Sequence, residues 1–123
     1  MMKDDITEYQ ELSEKTAKGY ADPYGVHEAE GSMSDFQERA LFLIAGLNGE
    51  SGELSEKIKK FVREDDDSYV EDINKEMGDV LWYLAQLATL FEYELGDDVA
   101  FQNLQKLTDR DERGVIFGDG DDR

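Results

Sequence analysis

Two short segments hold the residue types that can do chemistry, Glu50-Ser51-Gly52-Glu53 and Glu76-Met77-Gly78-Asp79. Each reads acid-x-x-acid. On a helix, residues three apart share a face with Cβ atoms roughly 5–6 Å apart, so each segment offers two carboxylates to one point, and antiparallel packing of the two helices brings four together. At about 100° per residue, Glu50 falls beside Leu47, Leu54 and Phe61, while Asp72, Glu76, Asp79 and Tyr83 fall beside Ile73, Val80 and Leu87. Acids at the edge of a packed face repel one another and lose water, and a divalent cation is the natural offset. Hard oxygen ligands suit Mg²⁺, which keeps several waters and bridges to phosphates; the chemistry indicated is phosphoryl transfer. The ordinary alternative is a helix laced with surface ion pairs, since Glu53 with Lys57 and Glu56 with Lys60 stand four apart. Ser51 and Ser55 have no histidine partner in a plausible triad, which leaves nucleophilic catalysis without support.

The elements that must position these acids are helical. Residues 4–18 read as a first helix with Ile6, Tyr9 and Leu12 at helical spacing, broken by the loop GYADPYGVHEAEG at 19–31. His27 lies in that loop among acids and reads as a solvated side chain. Ser34 followed by Gln37 is a capping-box pattern, after which Phe36, Ala40, Leu43, Leu47, Leu54, Ile58 and Phe61 continue one apolar stripe. This is a long second helix with an expected bend near residues 46–52. The acidic run 64–67 with Ser68 is a solvated connection. A third helix is expected over 69–95, closed by Gly96, and a fourth, capped by Asp97 or Asp98, through about residue 109. The remainder, about 111–123, is a glycine-rich tail that either docks or stays mobile.

Composition narrows the class. The 123 residues suffice for one domain, 1–123, and the single proline and abundance of helix formers give an all-α fold of about four helices. Thirteen basic residues against 31 acidic ones leave a net charge of −18, which argues against nucleic acid as a direct ligand. Without cysteine, thiolate metal ligation is excluded and the oxygen-ligated metals remain. The amino terminus lacks the apolar segment of a secretion signal, and the apolar runs are too short or too interrupted to span a bilayer. A soluble cytoplasmic protein with no membrane association is expected.

At this point GLNGESGELSEKIKKF followed by INKEMGDVLWYLAQLA resembles the ExxE…ExxD signature of the MazG-like nucleotide pyrophosphohydrolases. The likeness extends weakly to YQELSEKTA and clearly to NLQKLTDRDERGVIFGDGDDR, so that nearly the whole chain is covered. Many motifs of this family read EExxE; here Gly49 takes the place of the first acid. The resemblance implies an all-helical Mg²⁺ enzyme, with Mn²⁺ able to substitute, that hydrolyses a nucleoside or deoxynucleoside triphosphate to the monophosphate and pyrophosphate. It further implies Glu50, Glu53, Glu76 and Asp79 as metal ligands and catalytic acids, with Glu56 as a general base or outer ligand of lower rank. Nucleotide-pool cleansing is the implied role.

Cations must still meet a polyanionic substrate on so acidic a chain. Lys57 and Lys60 extend the flank that holds Glu50 and Glu53, and Asn103, Lys106 and Arg110 share a face of the fourth helix. The family look of NLQKLTDR favours phosphate or ribose contacts for the latter group. Among Trp82, Tyr83 and Phe91, Tyr83 is the choice for a base-stacking ring because it falls one turn beyond Asp79 on the same face. The stripes of the second and third helices are too wide for one short partner helix, and the family builds its bundles from several copies, so a homo-dimer or homo-tetramer is expected. The alternative function is a non-catalytic acidic interaction module or DNA-mimic, which needs its acids spread over an exposed face rather than gathered at one point.

Overall fold

The computed structural model describes residues 2–17 and 34–121, and these form four α-helices and no strand. They are α1 (Met2–Glu14), α2 (Asp35–Glu64), α3 (Tyr69–Leu90) and α4 (Phe101–Glu112), with a π-helical turn, Leu95–Ala100, leading into α4. The all-α class expected from sequence is the class observed. The expected loop at 19–31, with His27, lies outside the described residues.

α2 begins where its sequence says it must. Ser34 Oγ accepts from the Gln37 amide at 3.2 Å while the Ser34 amide donates to Gln37 Oε1 at 3.0 Å, so two otherwise orphaned amides are satisfied reciprocally. The helix then runs uninterrupted for 30 residues, through Gly46, Gly49 and Gly52. A mid-helix glycine costs roughly 1 kcal/mol relative to alanine. At Gly46 that cost has a return, because a Cβ there would lie 2.2 Å from the Tyr83 ring. The missing side chain is what admits the ring against α2.

The other boundaries differ from the sequence reading for identifiable reasons. α1 stops at Glu14 rather than residue 18 because its last turn tightens: Lys15 and Thr16 donate to carbonyls three residues back, and the Thr16 hydroxyl also takes the Ser13 carbonyl at 2.7 Å. α3 stops at Leu90, five residues short of the expected 95. It ends in a Schellman turn in which the Tyr93 amide reaches Ala88 O at 2.8 Å and the Glu92 amide reaches Thr89 O at 3.1 Å. Glu92 occupies the left-handed position there, at φ 62, so Gly96 is not the terminator and lies inside the π-helical turn instead. Neither Asp97 nor Asp98 is the expected N-cap: both lie inside the π-helical turn, whose N-cap is Glu94, and the Asp98 carboxylate reaches back to accept the Glu94 amide at 2.7 Å, while α4 continues three residues past the expected end.

What compels a glutamate into that left-handed position comes from α1. The buried Gln10 side chain donates to Tyr93 O at 2.8 Å and to Thr89 Oγ1 at 3.1 Å, and its Oε1 accepts the Leu95 amide at 2.6 Å. One amide thereby satisfies both edges of the turn after α3. Below it, Gln86 donates to Ser13 Oγ at 2.9 Å and Trp82 Nε1 to Thr16 Oγ1 at 2.7 Å, completing a polar ladder along the antiparallel α1–α3 contact. Ile6, Tyr9 and Leu81 pack beside this ladder on Ala85, Ala88 and Leu95. Leu12, expected in the apolar stripe, is 49% exposed.

α2 and α3 pair along their length as an antiparallel hairpin. Among the described residues, α4 makes no close backbone contact with α1, α2 or α3 and stands away from them. No large side chain among the described residues is fully buried, and Val70, Met77 and Leu84 on α3 and Phe91 at its C-cap, each seven residues after the last, remain 41–53% exposed. No described helix is long and apolar enough to cross a membrane.

The ladder makes Gln10 the residue whose loss is felt furthest. Gln10→Leu keeps an apolar side chain of similar bulk but strands the Tyr93 carbonyl and the buried Leu95 amide, and a loss of about 1–3 kcal/mol is expected. Urea unfolding monitored by circular dichroism measures it, and a variant as stable as wild type removes Gln10 from this role.

Candidate metal centre

The register of the α2–α3 hairpin decides which acids meet. Where Tyr83 lies on Gly46, the two helices are in contact; one turn further along, Glu50 on α2 meets Asp79 and Glu76 on α3. Carboxylate oxygens of Glu50, Glu76 and Asp79 lie within 4.8 Å of one another. Glu50 and Glu76 are half-buried and Asp79 is exposed. Glu53 is exposed and falls outside this group of three, although its charge still reaches Glu50.

The electrostatics are those of a crowded acidic site. Burial pushes the Glu50 carboxyl above the usual glutamate range, and the charges of Asp79 and Glu76, a hydrogen bond with Glu76 and the charge of Glu53 push it further the same way. The Tyr9 hydroxyl on α1 is likewise raised, by burial first and by the Asp79 charge second. Two oxygens on one Mg²⁺ at 2.0–2.1 Å stand no more than about 4.2 Å apart, so small side-chain rotations suffice to bring these three carboxylates onto one cation. The donor set therefore fits a hard divalent metal.

The remaining site residues expected from sequence divide into three groups. Glu56 is held by Lys60 at 3.6 Å, the ordinary surface pairing, whereas Lys57 makes no ion pair among the described residues and lies half-buried on the Glu50 side of α2. Tyr83 sits one turn beyond Asp79 as expected, but its ring is packed over Gly46 and edge-on to Trp82, at 5.0 Å between centroids, so it serves as a spacer between the helices. Asn103, Lys106 and Arg110 do share a face of α4, yet α4 does not approach the acid-bearing helices of its own chain. Asn103 and Lys106 line an open cleft of about 640 Å³ with Tyr93, Asp98 and Gln102. Tyr93 carried no sequence signal, because only the early end of α3 turns it toward α4.

A helical hairpin that turns carboxylates from both strands of the pair onto one point defines a bundle with its site between facing helices. The chain belongs to the MazG nucleotide pyrophosphohydrolase domain family, whose model matches residues 38–115. That span contains all three converging acids. The chain is also similar to the Gene 37 protein of Mycobacterium phage L5, at 42% identity over 93 residues, covering 72% of this chain and 81% of that protein. No solved structure matches.

The raised Glu50 carboxyl has a signed consequence for stability. The folded chain binds this proton more tightly than the unfolded chain does, so the group's contribution is most favourable below the ordinary glutamate range and is lost as pH rises through the raised value. In chelator, Glu50→Gln is therefore expected to melt above wild type at neutral pH and to lose that advantage in acid. With millimolar Mg²⁺ the order reverses, because wild type alone keeps the full ligand set. Melting curves over pH, with and without metal, give the answer; a variant less stable than wild type in chelator at neutral pH contradicts it.

Proposed function

We propose that the protein hydrolyses a nucleoside or deoxynucleoside triphosphate to the monophosphate and pyrophosphate, with Mg²⁺ held by Glu50, Glu76 and Asp79. The observation that carries this reading is the convergence of those three carboxylates at the α2–α3 contact, inside the segment that matches the family. Glu53 adds its carboxylate from the next turn of α2. The bound cation supplies neutralisation of the phosphate charge and a lowered pKa for water. The chain supplies the rest. Lys57 reaches for the phosphates from the same flank as Glu50, and Tyr83 fixes the helix spacing that aims the acids. Water is the nucleophile: its oxygen forms the new bond to the α-phosphorus, the bond from that phosphorus to the bridging oxygen breaks, and pyrophosphate leaves. Glu56, engaged by Lys60, ranks last among the acids as a proton acceptor. Such a substrate places the enzyme in the cytoplasm, in nucleotide-pool cleansing.

An acidic interaction module or DNA-mimic is the less favoured reading, because a mimic spreads its charge over an exposed face whereas these acids gather where two helices pack. Asn103, Lys106 and Arg110 contact substrate in this reading only when α4 of a second copy lies over the hairpin. The exposed rows supply a reason for that second copy. Leu41, Ile44, Ile58 and Val62 on α2, Val70, Met77 and Leu84 on α3 and Phe91 at its C-cap are apolar and uncovered, and Phe36 joins the rows at one end through an edge contact with Phe91 at 5.2 Å. Another hairpin of the same kind closes a four-helix bundle.

Incubation with a panel of nucleotides tests the reaction. Pyrophosphate release is expected with Mg²⁺ or Mn²⁺ and none with chelator, and Asp79→Asn and Glu76→Gln should each lower it about a hundredfold or more. Orthophosphate as the sole product, or no turnover of any nucleotide, sinks the assignment. For the assembly, light scattering should give a multiple of 14.0 kDa, and Leu84→Glu should shift the mass toward the monomer. A fully active 14.0 kDa monomer refutes the shared bundle.

A further inference from the structure

Beyond α4 the chain folds back on the helix it has just left. Gly114, at φ 72, makes the turn, with the Val115 amide on Arg110 O at 2.9 Å and the Gly114 amide on Asp111 O at 3.0 Å. The tail then returns to two cations one turn apart. Asp121 Oδ1 lies 3.2 Å from Lys106 Nζ and 3.2 Å from Arg110 Nη2, and Arg110 Nη2 also donates to Asp121 O at 2.7 Å and, more weakly, to Gly120 O at 3.5 Å. Of the two possibilities read from sequence, docking or mobility, the tail docks through residue 121.

The match is uneven. The Arg110 side chain is 5% exposed, while the Asp121 side chain that meets it is 84% exposed and uses one oxygen for both cations. Arg110 Nε is buried and has no hydrogen-bond partner. A guanidinium in a well-fitted anion site donates two parallel bonds, and a buried donor left unmade costs the fold free energy. Phosphate, with three terminal oxygens and a second negative charge, can take the Nε and Nη2 protons together and still reach Lys106. Lys106 and Arg110 hold the Asp121 carboxyl below the usual aspartate range, yet that carboxylate is open to solvent and is the exchangeable part of the contact, beside the Arg110 bond to Asp121 O.

We propose that Lys106 and Arg110 form a phosphate-binding cradle that the chain's own Asp121 occupies as a displaceable latch, with the tail released when a phosphate group takes its place. That Lys106 and Arg110 bind a phosphate, a nucleotide's or the pyrophosphate product's, rests on the proposed function; that Asp121 occupies both cations rests on the geometry. Release of the tail uncovers Arg110.

Pyrophosphate is the probe, titrated calorimetrically into the full-length protein in chelator, where the unmetallated acids beside Lys57 repel it. Asp121→Asn is expected to bind about two- to fivefold tighter than wild type, the scale of a solvent-exposed ion pair removed as competitor. Asp119→Asn removes the same charge from the same tail at a residue outside the bonds that Lys106 and Arg110 make among the described residues, and should bind as wild type does. In wild type, pyrophosphate should also speed amide hydrogen exchange over residues 114–121. Equal affinities for Asp121→Asn and Asp119→Asn, a weaker Asp121→Asn, or no binding by any variant each overturn the latch, even where metal-dependent turnover is intact. Latch-dependent binding without turnover of any nucleotide leaves the cradle standing and removes the hydrolase reading instead.

Discussion

The contact of Tyr83 with Gly46 sets the terms for everything that matters in this chain. There the Tyr83 ring packs against α2, and it can do so only because Gly46 offers bare backbone. Antiparallel helices advance at equal rates, so fixing one pair of residues fixes all the others. Glu50 then meets Asp79 and Glu76, one turn further from the contact. Slipping the hairpin by a turn would leave the acids on two separate helices with nothing to share.

That register gathers negative charge at a price in stability. The raised Glu50 carboxyl registers repulsion from Asp79 and Glu76 on top of partial burial. A structural ion-pair network would have set a lysine among these acids; here Lys57 lies on the same flank without an ion pair among the described residues, and Lys60 is committed to Glu56 further along. The chain holds the acids together by packing around them, leaving the charge to be balanced from outside. The fold and the proposed chemistry thus meet in one feature, a site whose carboxylates repel one another and whose charge a bound cation would balance.

The periphery is organised by polar rather than apolar contacts. α1 is joined to α3 by the Gln10, Ser13 and Thr16 ladder, and Gln10 also holds the turn that launches α4. A core made of Ala85, Ala88, Leu43 and Leu95, with no large side chain among the described residues fully enclosed, leaves much apolar surface on one hairpin uncovered. The projecting α4 and the uncovered rows of α2 and α3 are complementary deficits, the first lacking a surface to rest on and the second lacking a cover.

The sequence by itself determined the helical class, the capped start of α2 and the two acid-x-x-acid segments, because these are local: a capping box closes over four residues, and a three-residue spacing places side chains on one face whatever lies beyond. It also carried the family signature, which the family match over 38–115 bears out. Only the tertiary structure decided the rest. α3 ends at Leu90 because Gln10, some eighty residues earlier in the chain, supplies partners for a turn that local propensity does not favour at Glu92. Gly46 reads in the sequence as a weak point of α2 and is in fact where Tyr83 fits. Lys106 and Arg110, free cations by pattern, are already engaged by Asp121, since a tail's return path depends on a φ of 72 at Gly114 and not on any periodicity. Local spacing fixes which face a residue occupies; what that face meets is settled by contacts between residues far apart in the chain, and no window of sequence contains both partners.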